Sequence, residues 1–157
     1  MPTPNNNNSI TYFESALLAE DVYKENAENR GVNGWKPQKN GSFDKPSGLQ
    51  IQNYQNATHP NHTVIAIAGT NGLNDWDDNV SFVTGGLSEQ FQQALTYAAK
   101  TIDAAAKNSD GFSQNKTFSV TGHSLGGGIA QIIAYTFGLN GTTLDAPGAN
   151  SIIADSD

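Results

Sequence analysis

In Gly122-His123-Ser124-Leu125-Gly126 a serine stands between two glycines, after an apolar run and before an apolar helical pattern. A serine hydroxyl is a weak nucleophile until a base takes its proton and donors hold the charge that develops on the attacked oxygen. The G-x-S-x-G spacing meets the second need. A strand-to-helix turn this tight forces the serine into strained backbone geometry, and a Cβ at Gly122 or Gly126 would collide with neighbouring backbone. The turn lifts the hydroxyl clear at the C-terminal edge of the sheet. It also sets Ser124 at a helix N-terminus, where free N–H groups and the helix dipole favour negative charge. The backbone N–H of Leu125 is the expected first oxyanion donor.

The first need is harder to meet. The chain has three histidines. His123 adjoins the serine, and on a sharp turn its ring points away from the hydroxyl. His59 and His62 flank Pro60 just ahead of the first central strand, at the opposite edge of the sheet from Ser124. In α/β-hydrolase lipases, whose nucleophile turn this segment resembles, the acid and the histidine follow the serine in that order. Only 33 residues follow Ser124 and none is histidine, so the base is expected from outside this chain. Asp145 closes a short strand after the elbow helix. It reads either as a catalytic acid or as a turn cap before Pro147 and Gly148. Asp75, Asp77 and Asn79 have the opening spacing of a calcium loop, but Val80 stands where glycine is needed and Gly86 where glutamate is needed. No metal or cofactor is expected.

The elements that must position these residues follow from periodicity. Thr11 and Glu14 form a capping box, with Phe13, Ala16, Leu17, Glu20 and Tyr23 at helical spacing behind it. Residues 29–47, rich in Gly, Asn, Lys and Pro, read as an exposed loop, and "GLQIQNY" as an exposed or edge strand. "TVIAIAG" (63–69) is a near-continuous β-branched run, the pattern of a central strand covered on both faces. An amphipathic helix over 88–107, a second central strand in "KTFSVTG", a helix over 125–137 and a short strand in "TTLDAPGAN" complete the order. Strand, helix, strand, helix, strand predicts an α/β fold with a parallel sheet.

Composition narrows the function. A net charge of -7 without Lys/Arg clusters argues against nucleic acid as a partner. The absence of cysteine removes disulfides, thiol catalysis and Cys-ligated zinc. The opening "MPTPNNNNSI" has neither the basic nor the apolar region of a Sec signal, so the expected location is cytoplasmic or reached by a signal-independent export route. Residues 1–9 read as a disordered lead-in.

The segment "VTGHSLGGGIAQIIAY" resembles the nucleophile region of α/β-hydrolase lipases. "VIAIAGTNGLNDWDDNV" resembles the class 3, fungal-type lipase segment in which a strand ends in Gly-Thr or Gly-Ser and a Trp-bearing loop follows. "TTLDAPGAN" resembles that family's next strand and Pro-Gly loop. The resemblance implies an incomplete α/β-hydrolase fold: a mainly parallel sheet with helices on both faces, residues 10–157 forming the N-terminal part of one domain. The remainder is then missing or on a separate chain that would be a partner. It makes Thr70 the second oxyanion residue, at the end of a central strand where open α/β sheets place their sites. Asn71, Gly72, Leu73 and Trp76 correspond to a lid or lid hinge, and His123 to a packing residue. Some animal lipases carry their acid at the position of Asp145, whereas class 3 lipases take it from one strand further on. The implied activity is that of a serine carboxylic ester hydrolase, lipase or phospholipase A in type, with a lipid or ester substrate and a membrane surface as its setting. A non-catalytic binding module on the same fold, a thioesterase and an acyltransferase stand as alternatives.

Overall fold

The computed structural model describes residues 9–39, 41, 43–44, 48–69, 85–107 and 116–148. Helix α1 (Tyr12–Asp21) leads through a 3-10 turn (Ala27–Asn29) to strands β1 (Trp35–Pro37), β2 (Phe43–Asp44), β3 (Gln50–Asn56) and β4 (His59–Ala68). Helix α2 (Gly85–Lys107), strand β5 (Thr117–His123), helix α3 (Leu125–Phe137) and strand β6 (Asn140–Leu144) follow. Apart from Ser9, the lead-in expected over residues 1–9 lies outside the described residues.

Strand β4 is the hub of the sheet, whose order is β1-β3-β4-β5-β6 with β2 also on β3. It forms an antiparallel hairpin with β3 and a parallel ladder with β5, and β5 pairs parallel with β6. Successive residues of a strand point to opposite faces. Val64, Ala66 and Ala68 therefore pack with Leu18, Val22, Trp35 and Tyr54 on the α1 side. Ile65 and Ile67 pack with Ala94, Ala98, Leu125, Ile129 and Ile133 of α2 and α3 on the other. Both faces are covered, which is why the run is apolar throughout rather than alternating. The sheet is mixed rather than mainly parallel, antiparallel on the β1/β2/β3 side and parallel over β4, β5 and β6, with helices on both faces.

Local chemistry sets the helix ends. The Thr11 hydroxyl accepts the Glu14 N–H at 3.2 Å, and the Glu14 carboxylate accepts the Thr11 N–H at 3.0 Å, closing the capping box. Helix α3 ends at Gly138, whose φ of 63° is the left-handed cap that glycine adopts without strain.

Two further expectations need correction. The strand over 50–56 is neither exposed nor at an edge: β3 lies between β4 and the β1/β2 pair, and Ile51 to Tyr54 are buried. Its polar residues mislead because they are satisfied inside, where Gln52 Nε2 donates to the carbonyls of Gln38 and Asn53 and Gln52 Oε1 accepts from Arg30. The stretch 29–47 likewise holds β1, with Trp35 fully buried and its indole N–H donating to Glu14 Oε1 at 3.1 Å.

Candidate active site

The elbow forms where β5 turns into α3. Ser124 has φ 54° and ψ -128°, a strained conformation for a residue with a Cβ. Backbone contacts hold it there: its N–H donates to Leu144 O of β6 at 2.9 Å, and its carbonyl accepts from Gly128 N at 3.1 Å. Glycine is required on either side by packing. A Cβ on Gly122 would lie 2.4 Å from Gly126 O, and one on Gly126 would lie 2.2 Å from Ile67 O. The turn is thus pressed against both its own helix and the end of β4. The Ser124 side chain does not cap α3, and the residue is half-buried rather than enclosed. Leu125 is the first helical residue, so its N–H has no partner within the helix, while its side chain is buried in the core.

Gly69, just past β4, faces this turn. A methyl built on it would sit 3.4 Å from Leu125 N and 3.3 Å from His123 O, so the β4 end and the elbow form the two sides of one narrow gap. The hydroxyl of Tyr23, just beyond α1, accepts the Gly69 N–H at 2.8 Å and lies 3.4 Å from both the carbonyl oxygen and Nδ1 of His123. Thr70, Asn71, Gly72, Leu73 and Trp76 lie outside the described residues.

The titratable groups are arranged as follows. His123 directs its ring nitrogens to Tyr23 and, at 3.7 Å through Nε2, to Asp145 Oδ2. Asp145 follows β6 at the same end of the sheet as Ser124, with φ 44° and a side chain 93% exposed. His62 is buried at the opposite end, where Nε2 meets Ser119 Oγ at 2.9 Å and Nδ1 meets Thr117 Oγ1 at 2.8 Å. It pairs in register with Thr117, seven residues before Ser124, a separation of roughly 20 Å along an extended strand. His59 stacks on Trp35 at 5.6 Å. Gly122, His123, Ser124, Leu125, Gly126 and Asp145 therefore share one end of the sheet, and the other two histidines do not. Among the described residues no group of three or more His, Asp or Glu side chains is placed to hold a metal ion. A groove of about 1100 Å³ runs between α2 and β3, lined by Asn53, Tyr97, Lys100 and Thr101 among others, away from the elbow.

A family model of the phospholipase-like class, the Tle-like phospholipase domain, matches residues 14–156. The chain belongs to that family. An extracellular phospholipase A1 of Serratia liquefaciens is 35% identical over 147 residues, covering 88% of this chain and 42% of that protein. A lipase from Rhizopus microsporus var. chinensis superposes with a TM-score of 0.65 at 17% identity, over 92% of this chain and 61% of that one. A Rhizomucor miehei lipase–propeptide complex gives 0.62 at 15% identity, over 87% and 50%. The fold is thus shared with fungal lipases, and the chain spans about half the length of these proteins.

Tyr23 is the site residue that sequence reasoning passes over. It appears there only at helical spacing behind the capping box, because nothing in the chain links it to glycine and histidine 46 and 100 residues away.

Proposed function

We propose that this chain supplies the nucleophile and the oxyanion donors of a lipid-acting serine ester hydrolase, of lipase or phospholipase A type. The observation that carries the reading is Ser124 at φ 54° between β5 and α3, its hydroxyl uncommitted to the helix and beside the open N–H of Leu125. Membership of the Tle-like phospholipase domain family and the relative described as a phospholipase A1 favour a lipid ester as substrate.

In this mechanism Ser124 Oγ attacks the ester carbonyl as its proton passes to a histidine from outside the chain. The C=O π electrons move to oxygen, where the N–H groups of Leu125 and Thr70 hold the charge. Collapse breaks the bond to the alcohol, which leaves with the proton from the histidine, and the acyl group stays on Ser124. Water, deprotonated by the same histidine, then releases the fatty acid and restores the serine. Asp145 is the candidate acid within this chain. It lies at the correct end of the sheet, and its exposed carboxylate is open to an incoming imidazole.

The test is fluorophosphonate labelling of the intact protein, with fatty-acid release from phosphatidylcholine vesicles followed in parallel. Labelling and release should both disappear in Ser124→Ala. Labelling that persists in that variant refutes the nucleophile assignment, and a parent protein that never labels leaves a non-catalytic binding module.

A further inference from the structure

We infer that Tyr23 is a positioning residue for the oxyanion site; the inference rests on the reading of Ser124 as nucleophile. Its hydroxyl is the point at which three elements meet. It extends from the end of α1, accepts the N–H of Gly69 beyond β4, and approaches the His123 carbonyl at the end of β5. Its ring stands edge-on to the His123 imidazole at 6.3 Å.

The sheet itself does not do this work. The β4–β5 ladder ends at Ile67 opposite Gly122, and the β3–β4 ladder ends at Ala68 opposite Gln50. Gly69 is therefore past the last paired position on both sides. A backbone N–H there needs a partner, and the Tyr23 oxygen is that partner. A methyl on Gly69 would sit 2.9 Å from Tyr23 Oη and 3.4 Å from Leu125 N. The phenol oxygen, the end of β4 and the first residue of α3 thus converge on the same small volume. Through its bond to Gly69 and its approach to the His123 carbonyl, Tyr23 holds the end of β4 against the turn that carries the Leu125 N–H. Oxyanion donors work only when they are set in place before charge develops, and misplacement of about 1 Å costs up to about 100-fold in rate.

Tyr23→Phe keeps the ring and removes the oxygen. In the intact protein, kcat and the fluorophosphonate labelling rate should fall together by about tenfold, less than the 10²–10³ of deleting an oxyanion donor outright. KM should stay at the parent value, while the thermal midpoint should fall because the buried Gly69 N–H loses its partner, so rates are compared well below both midpoints. The Gly69 amide should exchange faster with solvent while that of Ile67 does not. Gly69→Ala adds a methyl that displaces the phenol oxygen, so Tyr23→Phe/Gly69→Ala should label no more slowly than Gly69→Ala alone. Parental rates in Tyr23→Phe, a rate loss carried by KM alone, or additive losses in the double variant would each overturn the inference. Ser124→Ala separates the two levels. If that variant is silent and Tyr23→Phe is parental, only the role of Tyr23 fails; if it labels like the parent, the nucleophile reading fails with it.

Discussion

Gly126→Ala replaces a hydrogen with a methyl group at the tightest contact of the site. The new Cβ would lie 2.2 Å from Ile67 O, 2.7 Å from Ala68 C and 2.9 Å from Ala68 O. None of these atoms belongs to a flexible side chain, so relief requires the start of α3 and the end of β4 to part by about 1 Å before ordinary contact is restored. Both backbones are tied elsewhere. β4 is held by ladders on its two sides, and α3 by Leu125, Ile129 and Ile133 in the core. Overpacking of this kind costs about 1–3 kcal/mol. The same displacement carries the Leu125 N–H away from Gly69, and a shift of about 1 Å in reacting groups is worth about 100-fold in rate. Gly148→Ala is the control, because a methyl there meets nothing within 4 Å. Labelling by a fluorophosphonate and thermal unfolding should be measured on parent and both variants. Gly126→Ala should lower the midpoint and label about 100-fold more slowly, with Gly148→Ala indistinguishable from the parent. Gly126→Ala with the midpoint and labelling rate of Gly148→Ala would refute the argument that backbone contact builds the elbow.

His62→Ala should destabilise the fold by about 1–3 kcal/mol by unpairing the buried Ser119 hydroxyl, without changing Ser124-dependent labelling of the folded protein. Loss of labelling in a folded His62→Ala protein would instead make His62 the base. Burial works against ionisation of Glu14, but its hydrogen bonds from Thr11 and Trp35 outweigh this and hold the carboxyl below its ordinary 4.5. A depressed pKa contributes stability above the unfolded value and loses it as pH falls through the folded one. Glu14→Gln should therefore cost about 0.5 kcal/mol near pH 7, and the difference should vanish below the depressed carboxyl pKa. Urea midpoints at the two ends of that range check it, and a gap independent of pH would count against the charged capping box.

Much of this architecture is legible in the residues because the signals are local. Thr11 and Glu14 are three positions apart, and the β-branched run 63–68 can be covered only from both sides. Leu125 to Phe137 carries its own start in the elbow and its own stop in Gly138. What is not legible depends on partners remote in the chain. Gln52 reads as solvent-facing because the Gln38 carbonyl and the Arg30 guanidinium that help to satisfy it come from elsewhere in the chain. Trp35 is likewise hidden in a stretch whose composition is that of a loop.

The candidate site divides along the same line. Its electrophilic side is made of backbone, and a backbone donor needs no particular side chain, only neighbours small enough to let two segments approach. Gly122 and Gly126 are that permission written in the sequence, since any Cβ there meets main-chain atoms at 2.4 Å or less. The phenol that holds Gly69 is a side chain arriving from α1, and no spacing rule connects it to the turn it supports. The base is a side chain too. The distance along β5 removes His62, and the ring of His123 is already turned to Tyr23 and Asp145. On the proposed reading, then, these residues carry the parts of the machine that depend on backbone shape, and the imidazole that drives it is brought to Ser124 from elsewhere.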